Sequence, residues 1–359
     1  MLRPGLLPYP IVVEPGALIK VGGIARAMAP AHAYAIITDS TVGPLYGSIV
    51  ARGFDNEQVH TLTIPSGETH KTRETWASLS DQLISLGCGR DTTVIALGGG
   101  VVGDVAGFVS ATYMRGIPVV QVPTTLLAMI DASVGGKTGV DTPGGKNLVG
   151  SFHSPAAVVA DPLALDTLPR EELRTGLAEA IKHGVIADVA YFRSVGETIP
   201  DILSHTGAAS DRLLGLIIRS IEIKSEIVSR DERESGVRKV LNFGHTIGHA
   251  IETLTGFTLA HGAAVGIGMV VESRIAELAG IATTGTVRAI ETMLAVAGLP
   301  FRCPSGITGA QLLNAMRSDK KGRAGRVEYA LPTRIGEMAG AGAGWAFAIE
   351  ENIVLQALA

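Results

Sequence analysis

Thr93-Val-Ile-Ala-Leu-Gly-Gly-Gly-Val-Val-Gly-Asp104 decides the fold class. Five apolar or β-branched residues read as a buried strand, which runs straight into a triple glycine. The segment that follows opens a helix. Three glycines at a strand end let the backbone come close to a pyrophosphate, and a helix N-terminus adds N–H groups and a positive dipole end. The same residues also suit a plain tight turn. The spacing is not G-x-G-x-x-G, so it is not the common dinucleotide fingerprint. Outward from this point the pattern repeats. Strands are predicted at Tyr34 to Thr38, Val59 to Ile64 and Val119 to Val122, and helices at Val42 to Arg52 and Lys71 to Leu86. This alternation predicts a parallel sheet with crossover helices, an α/β domain of Rossmann-like type.

From about Pro169 the rhythm changes, and long helical periods dominate through Gly298. The later strand-like runs are Val327 to Leu331 and Arg334 to Met338. A boundary is expected between Leu163 and Pro169, giving an α/β domain at 1–166 and a mainly α-helical domain at 167–359. With 359 residues, two domains are the natural division. Apolar residues make up 46% and aromatics 4%, so Ala, Val, Ile and Leu must build the core, as buried parallel strands require. A formal net charge of −4 gives no support for nucleic acid or a membrane surface as partner. Two cysteines, Cys88 and Cys303, cannot build a disulfide framework and fit a reducing compartment. There is neither a signal-peptide pattern nor an apolar run long enough to span a bilayer, so a soluble, cytoplasmic protein is expected.

Chemistry concentrates in Leu241-Asn-Phe-Gly-His-Thr-Ile-Gly-His-Ala-Ile-Glu252 and the nearby His261-Gly-Ala-Ala-Val265. Three of the nine histidines, His245, His249 and His261, fall here. The first two are four residues apart and share a helix face. Imidazoles converging with one carboxylate suit a catalytic Zn²⁺-like ion, although buried, hydrogen-bonded core histidines would show the same spacing. Glu179, in Gly176-Leu-Ala-Glu-Ala-Ile-Lys-His183, is the natural carboxylate, and a Glu179–His183 pair is geometrically possible as well. Lys182 stands about 60° off that face and is free to reach a substrate oxygen. Lys137, Lys146 and Asn147 lie in Asp131-Ala-Ser-Val-Gly-Gly-Lys-Thr-Gly-Val-Asp-Thr-Pro-Gly-Gly-Lys-Asn147, a loop whose five glycines and two ammonium groups suit closure on an anion. Asp39, at a strand tip, fits a ribose acceptor or a helix N-cap. Glu68 and Lys71 fit an adenosine contact or an ordinary charge pair at a helix start. The run Lys224 to Arg238 reads as a solvated helix end, except that Arg238 leads into the histidine helix.

These segments together resemble the 3-dehydroquinate synthase family from about Ile36 to Met338. The motifs are GGGVVGDVAGF, ATYMRG, VPTTLLAMIDASVGGKTGVDTPGGKN, GLAEAIKHG, RDERESGVRKVLNFGHTIGHAIE, HGAAV and SDKKG. The resemblance implies a lyase of the shikimate pathway and aromatic amino-acid biosynthesis. It would convert 3-deoxy-D-arabino-heptulosonate 7-phosphate to 3-dehydroquinate and phosphate through transient oxidation by NAD, phosphate elimination, re-reduction and intramolecular aldol closure. It implies NAD and a divalent metal, Zn or Co, with Glu179, His245 and His261 as ligands and His249 moved to the substrate side. It places Lys137, Lys146, Asn147, Lys182, Lys224, Arg238, Asn242, His249 and one of Lys320 and Lys321 at the substrate. For NAD it implies Asp39, Glu68, Lys71, Gly99, Gly100, Asp104, Thr124, Thr125, Asp131, Lys137, Lys146 and Thr167. It also implies a homodimer in which Arg115 reaches the phosphate of the neighbouring site. Ala263 and His183 depart from the family pattern, which often has Glu at the first position and Tyr or Thr at the second. Another sugar-phosphate cyclase, or a metal-dependent NAD polyol dehydrogenase, shares these parts. The two-lysine loop and Arg238 favour a substrate that carries anions.

Overall fold

The computed structural model describes residues 6–54, 57–204, 210–319, 327–340, 342 and 344–358. They form two compact units, one of Met1–Leu168 with Ala208–Ser225 and one of Pro169–Gly207 with Glu226–Ala359.

The first unit contains β1 (Ile11–Val13), α1 (Val21–Met28), β2 (Ala33–Asp39), α2 (Ser48–Ala51), β3 (Gln58–Ile64), α3 (Arg73–Ser85), β4 (Thr92–Gly98), α4 (Gly100–Thr112) and β5 (Val119–Pro123). A hairpin, β6 (Lys137–Thr142) with β7 (Gly145–Phe152), and β8 (Ala157–Ala160) complete its strands. Six strands join in the order β1-β8-β5-β4-β2-β3, every pair parallel. Both faces are buried, which explains the near-continuous apolar runs. Alternate residues of β2 and β4 go to opposite cores. Ala35, Ile37, Val94 and Ala96 pack with Leu79, Leu83, Val105 and Val109, while Tyr34, Ile36, Ile95 and Leu97 pack with Val21, Ala25 and Val50. Because β3 and β4 lie on opposite sides of β2, the winding direction reverses between β2 and β4. Asp39 and Gly98 therefore end adjacent strands at a topological switch point, where open α/β sheets bind ligands.

The sheet departs from the sequence reading in three places. Segments 11–13 and 157–160 are short strands with no flanking signal, and half of the glycine-rich loop is the antiparallel β6–β7 hairpin. Its exposed residues follow no apolar alternation, so no period announces it. The segment 208–225, placed in the second domain by its helical pattern, belongs to the first unit.

The second unit contains α5 (Arg170–Ala187), α6 (Val189–Leu203), α8 (His245–Leu254), α9 (His261–Leu278), α10 (Thr286–Val296), α11 (Gly309–Asp319) and α12 (Glu351–Leu358). α7 (Asp211–Arg230) precedes α8, beginning in the first unit and ending in the second. Ile247, Ile251, Ile267, Val271, Ile275, Leu312, Met316 and Val354 form the core around α8 and α9. The late strand pair falls at Pro332–Arg334 and Glu337–Met338. Within the expected run Val327 to Leu331, Tyr329 makes only an isolated bridge to Phe347. No helix among the described residues is long and apolar enough to cross a membrane.

Candidate active site

In the second unit, glycine lets three helices come close enough to share a site. A Cβ on Gly268 of α9 would lie 1.9 Å from the Gly244 carbonyl oxygen just ahead of α8. One on Gly262 would lie 2.4 Å from Thr175 Cα in α5. Backbone therefore meets backbone where the histidines begin their helices. Gly244 turns in the left-handed region at φ 81°, and its N–H donates to Glu272 Oε2 at 2.8 Å. Glu272 is fully buried on α9, so that helix holds the turn that launches His245.

Glu179 of α5, fully buried, is the meeting point. His245 Nε2 lies 3.6 Å and His261 Nε2 3.7 Å from its Oε1, and one donor atom from each of the three falls within 4.8 Å of the others. These separations exceed ordinary hydrogen bonds. They are close to the roughly 3.4 Å that ligand bonds of about 2.1 Å produce around a tetrahedral ion. Each imidazole has its other nitrogen occupied: His245 Nδ1 donates to Phe243 O at 3.2 Å, and His261 Nδ1 to Glu252 Oε1 at 3.3 Å. Both rings thus present Nε2 to the carboxylate. Burial, aided by the Lys182 charge, pushes His245 down to about 3, so it is neutral and able to ligate at physiological pH. Burial opposes the charge on His261 too, but the nearby Glu179 and Glu252 carboxylates outweigh it and raise its pKa to about 9. A divalent cation must therefore displace a proton there. The donor set fits a Zn²⁺- or Co²⁺-type ion.

Lys182 was expected to point away from Glu179. Instead its flexible chain curls back, and its ammonium pairs with the Glu179 carboxylate, both groups buried. His183, the other candidate partner of Glu179, is fully buried on α5. The His249 ring stands 5.4 Å from that of His245 and 6.3 Å from that of His261, beside the three converging donors.

The stretch before α8, read from its charges as a solvated helix end, is an ordered turn. Asp231 accepts from the N–H groups of Ser235 at 3.0 Å, Gly236 at 2.7 Å and Arg238 at 3.0 Å. Burial disfavours its charge, yet these bonds hold its carboxyl below the usual carboxylate range. Arg238 is buried and its guanidinium donates to the Glu232 carbonyl, while Asn242 donates to Glu234. Asp231, Glu234, Glu252 and Glu272 were not singled out from the sequence. Only Glu252 carried a positional signal, falling two turns after His245 on the same helix.

In the first unit, Asp39 ends β2 and Gly98 ends β4, with Gly99 and Gly100 directly after it. A Cβ on Gly98 would lie 2.6 Å from Val102, so the chain turns into α4 with the helix tight against the strand. Gly99 and Gly100 form that turn, with Thr124 N bonded to Gly98 O at 3.0 Å and Thr125 Oγ1 accepting Ala128 N at 3.1 Å. Asp39 Oδ1 receives Thr41 N at 2.7 Å and Val42 N at 2.8 Å in the turn that follows β2. Lys71 is buried and lies 2.5 Å from Asp104. Burial pulls its pKa down, but Asp104 and Glu68 hold it above the ordinary lysine value. Lys146 pairs with Glu68 at 3.1 Å and Lys224 with Asp131 at 2.9 Å. Lys137 opens β6. Asn147, at φ 54°, donates its N–H to Asp141 at 2.8 Å. Thr167 Oγ1 is 2.7 Å from Tyr46 Oη. Arg115 follows Met114 in a left-handed turn, at φ 69° and 49°. Lys320 and Lys321 lie outside the described residues.

Residues 61–175 match the family model for the 3-dehydroquinate synthase N-terminal region, and 176–322 that for its C-terminal region. A 3-dehydroquinate synthase of Symbiobacterium thermophilum is 44% identical over 334 residues, covering 92% of each chain. A 2-epi-5-epi-valiolone synthase from Streptomyces hygroscopicus subsp. jinggangensis, solved with NAD+ and Zn²⁺, superposes with TM-score 0.87 at 28% identity, covering 100% of this chain and 98% of the other. A 2-deoxy-scyllo-inosose synthase, solved with carbaglucose-6-phosphate, NAD+ and Co²⁺, gives TM-score 0.87 at 26% identity, covering 97% and 95%.

Proposed function

The chain belongs to the 3-dehydroquinate synthase family, and from that premise we propose that it converts 3-deoxy-D-arabino-heptulosonate 7-phosphate into 3-dehydroquinate and phosphate, using NAD and a Zn²⁺ or Co²⁺ ion. The observation that carries this reading is the convergence of Glu179, His245 and His261 from three helices onto one ion-sized space. The switch-point turn at Gly98 to Gly100 supports the NAD half, as do the nucleotide and metals named for similar enzymes. We assign the nucleotide to the first unit, with Asp39, Gly99, Gly100 and Asp104 as its principal contacts, and the cation to the second.

Bound NAD supplies a hydride acceptor that is restored within each turnover, and the cation supplies Lewis-acid polarisation of the hydroxyl being oxidised. Glu179, His245 and His261 would hold the cation. Lys182, already tied to Glu179, places a buried ammonium where charge develops on a substrate oxygen. His249 is positioned to pass a proton to or from a substrate hydroxyl beside the ligand set. Arg238, fixed by the Asp231 turn, supplies a planar fork for the substrate carboxylate. Asn242 adds a neutral donor. Lys137, Lys146, Asn147 and Lys224 are the first unit's own cations and donors for a bound anion. Cations of this number suit a substrate bearing both phosphate and carboxylate.

The shared-site reading of Arg115 is part of the same proposal. Met114 is 40% exposed next to Arg115, and the β6–β7 hairpin exposes Leu148, Val149 and Phe152. These are surfaces that a second copy of the chain would cover. The test of the proposed activity is to supply the heptulosonate phosphate with NAD far below stoichiometry and follow phosphate. Many phosphates released per NAD, without build-up of reduced cofactor absorbance, is the expected result. Stoichiometric NADH would replace the cyclase reading with a dehydrogenase.

A further inference from the structure

We infer that Glu252 is a positioning residue that sets the His261 ring for metal binding, an inference resting on the Glu179–His245–His261 centre proposed above. Glu252 lies near the end of α8, its side chain 3% exposed, with Oε1 3.3 Å from His261 Nδ1. A carboxylate oxygen only accepts, so Nδ1 carries a proton, and Nε2, 3.7 Å from Glu179 Oε1, is the nitrogen left for an ion. Carboxylate, histidine and ion would then form a relay of the kind that orients metal-bound imidazoles.

The two candidate ligand histidines are secured differently. His245 Nδ1 bonds to a backbone carbonyl, that of Phe243, which no side-chain substitution removes. His261 is the first residue of α9, and its neighbour Ala260 offers no side-chain cap. Its orientation therefore depends on a side chain from the facing helix. The arrangement is reciprocal, because Glu272 of α9 accepts the Gly244 N–H at the head of α8. Each helix sends a buried carboxylate to the start of the other, but only Glu252 meets a candidate ligand ring.

Co²⁺ binding to the full-length protein, stripped with chelator and followed through the visible absorption of the bound ion, tests this without reference to turnover. Glu252→Gln keeps an acceptor oxygen at the same reach and should bind Co²⁺ within about threefold of the parent. Glu252→Met fills the same space without an acceptor, and Glu252→Asp keeps the charge but falls one methylene short. Both should bind ten- to a hundredfold more weakly, the usual cost of losing such a partner, with an altered spectrum. If Met or Asp binds as tightly as Gln, the positioning role is wrong. Should one of these two fail to fold, the other carries the comparison. A His261→Ala arm separates the levels: if it binds Co²⁺ like the parent, or if the parent binds none, the centre itself has been misassigned. A normal parent and a defective His261→Ala, with Met or Asp equal to Gln, overturn only the role of Glu252.

Discussion

Substituting Gly268 by Ala tests whether backbone contact between α8 and α9 builds the cation site. The new Cβ would sit 1.9 Å from the Gly244 oxygen. An unstrained carbon–oxygen contact needs at least about 3.2 Å, so the helices must separate by roughly 1.3 Å there. Overpacking of this kind costs about 1–3 kcal/mol. Separation also stretches the 2.8 Å bond from Gly244 N to Glu272, and a buried carboxylate deprived of a donor adds about 1–3 kcal/mol. The higher helix propensity of Ala returns less than about 1 kcal/mol. A net loss near 3 kcal/mol follows, equivalent to about 6–12 °C in the melting temperature of a unit of this size. Cation affinity should fall at the same time, because a metal centre tolerates ligand displacements of only about 0.2 Å. The assays are calorimetric unfolding and competition with a chromophoric chelator. Gly215→Ala in α7 is the control: nothing lies within 4 Å of its added methyl, and it should stabilise by about 0.5–1 kcal/mol. A Gly268→Ala protein that melts within about 2 °C of the parent and keeps its metal would refute the close-approach argument.

Three further outcomes are expected. His261→Ala should abolish metal retention while His249→Ala retains most of the ion and turns over more slowly; equal metal loss by elemental analysis would put His249 among the ligands. Asp231→Asn should lose roughly 1–2 kcal/mol of stability at neutral pH, where the parent carboxylate is charged and fully bonded. Because that carboxyl titrates below its ordinary value, its contribution is present above about pH 4 and disappears as pH falls through the lowered pKa. Parent and variant melting curves should therefore converge in acid, and a gap that widens there would contradict the assignment. Arg115→Ala and Lys137→Ala chains, each inactive alone, should recover about one working site in two when mixed as heterodimers, by a shared-site count in which one of the two sites receives both defects. Heterodimers without activity would confine Arg115 to its own subunit.

The parallel sheet was legible because β2, β4 and β5 are buried on both faces and must be written in Val, Ile, Leu and Ala. The β6–β7 hairpin was not, since its glycines and its exposed mix of polar and apolar residues carry no period and its register comes from pairing alone. The membership of residues 208–225 is likewise a long-range property, expressed in contacts such as Lys224 with Asp131 that helical periodicity does not encode. At the candidate site the histidine spacing pointed to His245, His249 and His261 together, and only the family resemblance moved His249 to the substrate side. Spacing could not choose between ligation and pairing for Glu179, because His183 shares its helix face. The supporting carboxylates escaped for a simpler reason. Glu252, Glu272 and Asp231 look like solvated surface charge until the helices that bury or bond them are in place.

The interruption of the first unit by residues 169–207 has a bearing on how the chain comes off the ribosome. Domains ordinarily fold in the order of synthesis, each when its last residue emerges. Here the sheet and its hairpin are translated long before Lys224, which closes on Asp131. The N-terminal unit must wait, incomplete, while α5 and α6 are made, and it then finishes with a helix whose last turn already belongs to the other unit. A nascent chain stalled at residue 168 should therefore be more open to protease than one stalled past residue 230. For the same reason the N-terminal unit cannot be excised intact by one cut, although its sheet is complete.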